Sequence, residues 1–325
     1  MSNLEVSPRE TDCGGLQVLD PPPPPQTLLP RAVPLGGPRA MSVNRTLPHR
    51  DIRTIGAWCF VDHFGPGDVP QSAVTGMNVP PHPHMGLQTV SWLLSGEVKH
   101  RDSVGGHALI RPGQLNVMTA GHGIAHSEYS RSDGQRPFGA QLWVALPEQH
   151  RAQRPHFEHH ADLPDLPVGG LSVRVIMGEV DSVASPAATY SPIVGAAVSV
   201  PSGASGRIPL HRDFEYGVLV TDGNVDVAGT DVPSGALRYL GWGNGDLHVR
   251  SSGGAQVLLL GGEPMTEHLL MWWNFVGRNH DEIVEARRQW QDRDPRFGDV
   301  VGDDTAWLPA PELPTTRLKP RPPRR

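Results

Sequence analysis

Cysteine is nearly absent from this chain: Cys13 and Cys59 are the only two in 325 residues. A disulfide framework is excluded as the source of stability, and thiolate-rich metal sites are excluded with it. The first cysteine sits in a polar leader and the second among apolar residues, so no pairing is expected and a reducing, cytoplasmic setting fits. Positive charge is outweighed, with 28 Lys and Arg against 34 Asp and Glu and a net charge of −6. That balance gives no drive towards nucleic acid or an anionic membrane surface. No apolar stretch approaches a membrane span, and the N-terminus has neither the basic flank nor the apolar run of a signal peptide. Only 4 Tyr and 7 Phe are present, whereas Gly (37) and Pro (34) are plentiful. This composition predicts a turn-rich, all-β protein rather than a helical bundle. The length predicts two domains, each able to bury its own core.

Residues 1–30 read as a disordered, Pro-rich leader containing the extended run Pro21–Pro25. Strand patterns begin near residue 31. Thr89–Leu94 ends at the turn signal Ser95-Gly96, and Glu97–His100 resumes with alternation, which predicts a hairpin. Short strands are expected at Ala108–Ile110, Leu115–Met118 and Gln141–Leu146. Residues 148–168 carry many Pro, His and Asp and little periodicity, and read as a surface connector. Strands return at Leu171–Met177, Ala197–Val200, Tyr216–Val220, Val225–Ala228 and Ala255–Leu260. Met271–Val276 is apolar and aromatic, hence core or interface. Asn279 and Glu282 then form a capping arrangement before a helix with Ile283, Ala286 and Trp290 on one face. The end of the chain, 296–325, is a Pro/Arg-rich tail whose basic residues are expected to be solvated.

Chemistry concentrates in two short segments, His82-Pro83-His84 and His126-Ser127-Glu128. Residues two apart on a strand project from one face, so each pair can aim both side chains at one point. Across a small antiparallel barrel the pairs can converge, giving three imidazoles and one carboxylate: His82, His84, His126 and Glu128. Such a donor set suits Fe, Mn, Ni, Co or Zn, and on an octahedral ion it leaves two positions open. The other histidines have duller readings. His63 and His100 fit structural hydrogen bonds, His156, His159 and His160 fall in the connector, and His122 reads as a loop residue. In the second half, His211, Glu215 and His248 are too few and too scattered for a second metal site.

Phe60-Val61-Asp62-His63-Phe64-Gly65-Pro66, His82-Pro83-His84-Met85-Gly86, Gly96–Ser103, Arg111-Pro112-Gly113 and Thr119–Glu128 follow one another in order. Together they resemble the pirin family of the cupin superfamily, over roughly residues 31 to 290. The resemblance implies a bicupin, with a metal-binding cupin barrel at 31–147 and a metal-free cupin barrel with its terminal helix at 169–295. It also implies Fe(2+), with another divalent transition metal as the alternative, on His82, His84, His126 and Glu128. Two departures stand out: Met85 replaces the family's usual Arg, and Gln88 stands where cupins often carry Glu.

The resemblance implies quercetin 2,3-dioxygenase-type ring cleavage of a flavonol-like substrate by dioxygen. Glu128 is then both ligand and catalytic proton acceptor. The pocket would be apolar, with Trp92, Leu94, Met118 and Trp143 as candidates to line it and Gln88 offering a hydrogen bond. The alternative is an iron-dependent, redox-responsive regulator whose partner is a transcription factor or metabolic enzyme. A weaker one is a metal-dependent isomerase or hydrolase.

Overall fold

In the seven residues Leu87–Leu93 every side chain is buried, so this strand must be covered on both faces. The computed structural model shows how. It describes residues 11–13, 23–35, 41–65, 76–130 and 136–322. Within it the strand is central to a seven-stranded antiparallel sheet in the order His156–His160, Leu115–Thr119, Leu87–Ser95, Phe138–Ala145, Trp58–Phe64, Met41–Leu47, Arg31–Leu35. One face looks into a barrel closed by a four-stranded sheet: Asn78–His84, Ile124–Ser130, Val98–Asp102 and His107–Ile110. The other face packs against the second barrel.

That second barrel repeats the plan. Its large sheet runs Asp165–Val168, Leu171–Val180, Ile193–Val200, Ala255–Gly262, Glu215–Gly223, Leu237–Gly241, Gln26–Leu28. Its small sheet runs Ser205–Pro209, Asp246–Arg250, Val225–Val227, Thr230–Val232. The protein is therefore nearly all-β, with two cupin barrels and, among the described residues, one helix. A single apolar cluster, including Trp58, Val90, Trp92, Leu142, Ile176, Leu258 and Leu260, spans both large sheets. Trp58 is fully buried there, and its Nε1 donates to the carbonyls of Val194 (3.0 Å) and Gly261 (3.2 Å) in the second barrel.

Several local expectations change. Ser95-Gly96 does not close a hairpin. Gly96 adopts φ +76°, the left-handed region, and the chain crosses there from the large sheet to the small one. Alternation alone cannot tell a return from a crossing. The expected connector 148–168 holds two strands, His156–His160 and Asp165–Val168. Both are half-exposed edge strands, so neither shows apolar periodicity. From the expected leader, Gln26–Leu28 pairs with Leu237–Tyr239 and buries Leu28 in the second barrel. Pro21 and Pro22 of the proline run lie outside the described residues, as do Arg324 and Arg325 of the tail.

The helix His280–Gln291 is capped by Asn279, whose Oδ1 accepts from Glu282 N (3.1 Å), and it buries Ile283, Ala286 and Trp290. These join Trp272, Trp273, Phe275 and Phe297 in a cluster that also takes in Met85 and Ala125 beside the paired segments. The tail continues over the small sheet. Arg317 and Lys319 are exposed, but Leu318 between them is buried. No helix among the described residues is long and apolar enough to cross a membrane.

Candidate metal centre

The strand Asn78–His84 lies at the edge of the small sheet, which is why it tolerates Pro80, Pro81 and Pro83. His82 and His84 point inward from it. His82 stands opposite His126 in the register, with ring centroids 4.3 Å apart, and His84 is 4.9 Å from His126. One nitrogen from each of these three rings lies within 4.8 Å of the others, and all three residues are fully buried. His82 Nδ1–H donates to the Pro80 carbonyl (2.8 Å), leaving the Nε2 lone pair inward. Nε2 of His82 and Nε2 of His126 are buried without a hydrogen-bond partner, and neither ring nitrogen of His84 makes a hydrogen bond of normal geometry, although the Asn274 backbone carbonyl faces that ring. Burial holds all three imidazoles well below the usual histidine range, and repulsion from neighbouring histidines, His100 among them, adds to it, so each is neutral near pH 7.

Glu128 is also buried, but its carboxylate converges within the same limit on His126 and His100 rather than on the trio. Glu128 stands opposite His100 in the register, as His126 stands opposite His82. The prolyl strand also carries one extra residue between His82 and Val79, the partners of His126 and Glu128.

His100 makes structural hydrogen bonds, as expected, but sequence reasoning missed that they reach His126. Its Nε2 donates to Asp102 Oδ2 (3.0 Å), and its Nδ1 lies 3.3 Å from His126 Nδ1. Asp102 is fixed in turn by the N–H groups of Val104 (3.0 Å) and Gly106 (2.7 Å). With His126 Nδ1–H donating to His100 Nδ1, the chain Asp102–His100–His126 directs His126 Nε2 inward. A carboxylate orienting a histidine in this way is the usual support of a metal-binding imidazole. His100 and Asp102 repeat the i, i+2 spacing of the other pairs, a signal that was available in the sequence.

The wall of the site is set by strand alternation. Trp143 packs edge-on against His84 (5.2 Å) and stacks on Phe60 (3.9 Å), and Phe157 stacks on His100 (4.3 Å). Met118 shares this inner face through its register with Thr89 and Phe157. Trp92 and Leu94 do not; they project to the opposite face and pack in the cluster between the barrels. Gln88 is on that outer face too, donating to Thr119 Oγ1 (3.0 Å) and the Ala188 carbonyl (3.2 Å), and offers no hydrogen bond to the site. In the second barrel Glu215 is a tie rather than a ligand: Oε1 accepts from Gly56 N (2.8 Å) and Oε2 from Tyr239 O–H (2.8 Å). His211 is largely exposed.

Residues 40–144 match the Pirin family and residues 195–298 match the Pirin C-terminal cupin domain. A Pseudomonas aeruginosa protein named as a putative quercetin 2,3-dioxygenase is 42% identical over 289 residues, 89% of this chain and 90% of its own length. The chain belongs to the pirin family. A pirin-like protein of Caulobacter vibrioides is 35% identical over 276 residues, covering 83% of this chain and 94% of that one. The crystal structure of a quercetin 2,3-dioxygenase from Acinetobacter baumannii matches with a TM-score of 0.84 at 40% identity, covering 91% of this chain and 98% of that one. Position 85, where the pirin resemblance leads one to expect Arg, carries Met85, and a guanidinium from the C-terminal segment reaches it. Arg296 donates through Nη2 to Met85 Sδ (2.7 Å) and through Nε to the His122 carbonyl (2.7 Å).

Proposed function

We propose that this pirin is a mononuclear iron protein of the quercetin 2,3-dioxygenase type, acting on a flavonol-like substrate. The observation that carries the reading is the group of unpartnered, fully buried imidazole nitrogens of His82, His84 and His126. Stranding a buried polar atom costs about 1–3 kcal/mol, and a divalent metal removes that cost at all three. His82, His84 and His126 would hold the ion, and Glu128, whose carboxylate meets His126 but not the whole trio, would turn towards it as the fourth ligand. When bound, iron supplies a Lewis-acidic, redox-active centre for an oxygen-bearing substrate and dioxygen.

The protein's own part is positioning and proton handling. Glu128, buried on the same inner face, accepts the proton of the flavonol 3-hydroxyl at a carboxylate oxygen. The Phe60–Trp143 stack and Met118 hold a flat ring in place and keep water away. The names of the Pseudomonas and Acinetobacter relatives support this substrate class.

The test is anaerobic purification, elemental analysis, and an oxygen-dependent assay of quercetin absorbance. Stoichiometric iron is expected, together with bleaching that Glu128→Ala lowers at least 100-fold, the scale of general-base catalysis. Iron without bleaching would favour the regulatory reading, and carefully prepared protein without metal would overturn the assignment.

A further inference from the structure

The inner face of the large sheet in the first barrel carries a row that an apolar core would not. Strand register places Arg45, Asp62, Gln141, Ser91, Asn116 and His159 side by side across six neighbouring strands. Arg45 and Asp62 form a bidentate pair (2.8 and 2.9 Å), so the row carries no unmatched charge at that end. Ser91 Oγ donates to Gln141 Oε1 (2.8 Å), and Asn116 Oδ1 meets His159 Nδ1 (2.6 Å). Both contacts use the oxygen side of an amide. The nitrogen sides, Gln141 Nε2 and Asn116 Nδ2, are left without partners, in residues only 1% and 2% exposed. A half-satisfied polar row is less stable than an apolar one unless something else accepts those hydrogens.

Geometry indicates what accepts them. The next row on the same face is Phe60, Trp143, Thr89, Met118 and Phe157, the row that touches His84 and His100. Rows on one face are two residues apart, about 7 Å. The order from the histidines is therefore an aromatic layer, then a layer of amide donors. Gln141 and Asn116 flank Ser91, roughly two strand spacings or ~9.5 Å apart. Trp143 Nε1, also buried and unpartnered, adds a donor in the aromatic layer.

We infer that Gln141 and Asn116 form a second recognition layer for the substrate. They donate to neutral phenolic or carbonyl oxygens on the rings remote from the oxygen that faces the histidines. The inference rests on the proposed function and extends it: the preferred substrate is a planar aromatic oxygenated at both ends. Ser91 acts on Gln141 as a positioning residue, turning its amide nitrogen inward.

The experiment compares two ligands on the full-length, metal-loaded chain without oxygen. Quercetin carries hydroxyls on its remote rings, and 3-hydroxyflavone has none. Tryptophan quenching gives both affinities, while elemental analysis and thermal melting check metal content and folding. The wild type is expected to bind quercetin about tenfold or more tightly than 3-hydroxyflavone, the worth of one or two hydrogen bonds. In Gln141→Met, which keeps the volume and removes the donor, that ratio falls towards one, and Asn116→Leu lowers it independently. Equal affinities in the wild type would overturn this layer while leaving the functional reading standing. A ratio that persists in both folded variants would also overturn it. Failure of the wild type to bind either ligand would instead overturn the functional reading, and the inference with it.

Discussion

His126 shows how much of a candidate metal ligand's direction is set by its neighbours. Its ring direction depends on His100, and the direction of His100 depends on Asp102 and two loop N–H groups. Replacing His100 by Phe keeps a ring to stack on Phe157 but removes the acceptor at His126 Nδ1. Metal affinity should then fall about 10- to 100-fold, the usual range for losing a supporting partner. Competition against a chelator of known affinity measures this, and a change below twofold would reduce His100 to packing. That His82, His84 and His126 share an inner face was legible from strand alternation. Arg296 was not so accessible, because it reaches Met85 from 211 positions away in the chain.

At the level of elements, the sequence was a good guide to strands and a poor one to their partners. Thr89–Leu94 was legible as a strand ending at a turn signal, but nothing local shows that Gly96 sends the chain to the other sheet. Likewise the pairing that sets Glu128 opposite His100 emerges only when two strands are laid together. Glu215 gives a sharper case. Read alone it is a leftover carboxylate in a second barrel, yet it joins the 55–58 turn of the first barrel to Tyr239 of the second. Removing it in Glu215→Ala strands the Gly56 N–H and the Tyr239 hydroxyl. This should cost about 3 kcal/mol, while Glu215→Gln keeps acceptors in place and loses less. Urea denaturation measures both, and equal midpoints for wild type and Glu215→Ala would show that the tie carries no stability.

For the whole molecule, the decisive fact is that the last segment of the chain braces the first barrel. The Ala125 N–H and Ser103 Oγ both donate to the Phe297 carbonyl, at 3.0 and 2.6 Å. Leu308 N donates to the Pro81 carbonyl (2.8 Å), and the Leu308 carbonyl accepts from Trp290 Nε1 (2.8 Å). Pro81 and Ala125 are each next to a candidate ligand, His82 and His126. The edge strand that presents His82 and His84 therefore has the Ile124–Ser130 strand on one side and the tail on the other. Because its own prolines remove ladder donors, it depends on outside contacts more than an ordinary strand does. Ending the chain after Gly298 keeps the Phe297 contacts and removes the one at Pro81. It also uncovers Trp290 and the apolar cluster around it. Two effects should follow together: faster hydrogen exchange in Asn78–His84, and metal binding weakened about tenfold, since the truncated chain must order the edge strand itself. Exchange mass spectrometry and chelator competition on the same sample test both. A truncated chain that loses thermal stability but keeps full metal affinity would confine the tail to covering the helix. Loss of both would make the C-terminal segment part of the metal centre in energetic terms, although it contributes no ligand.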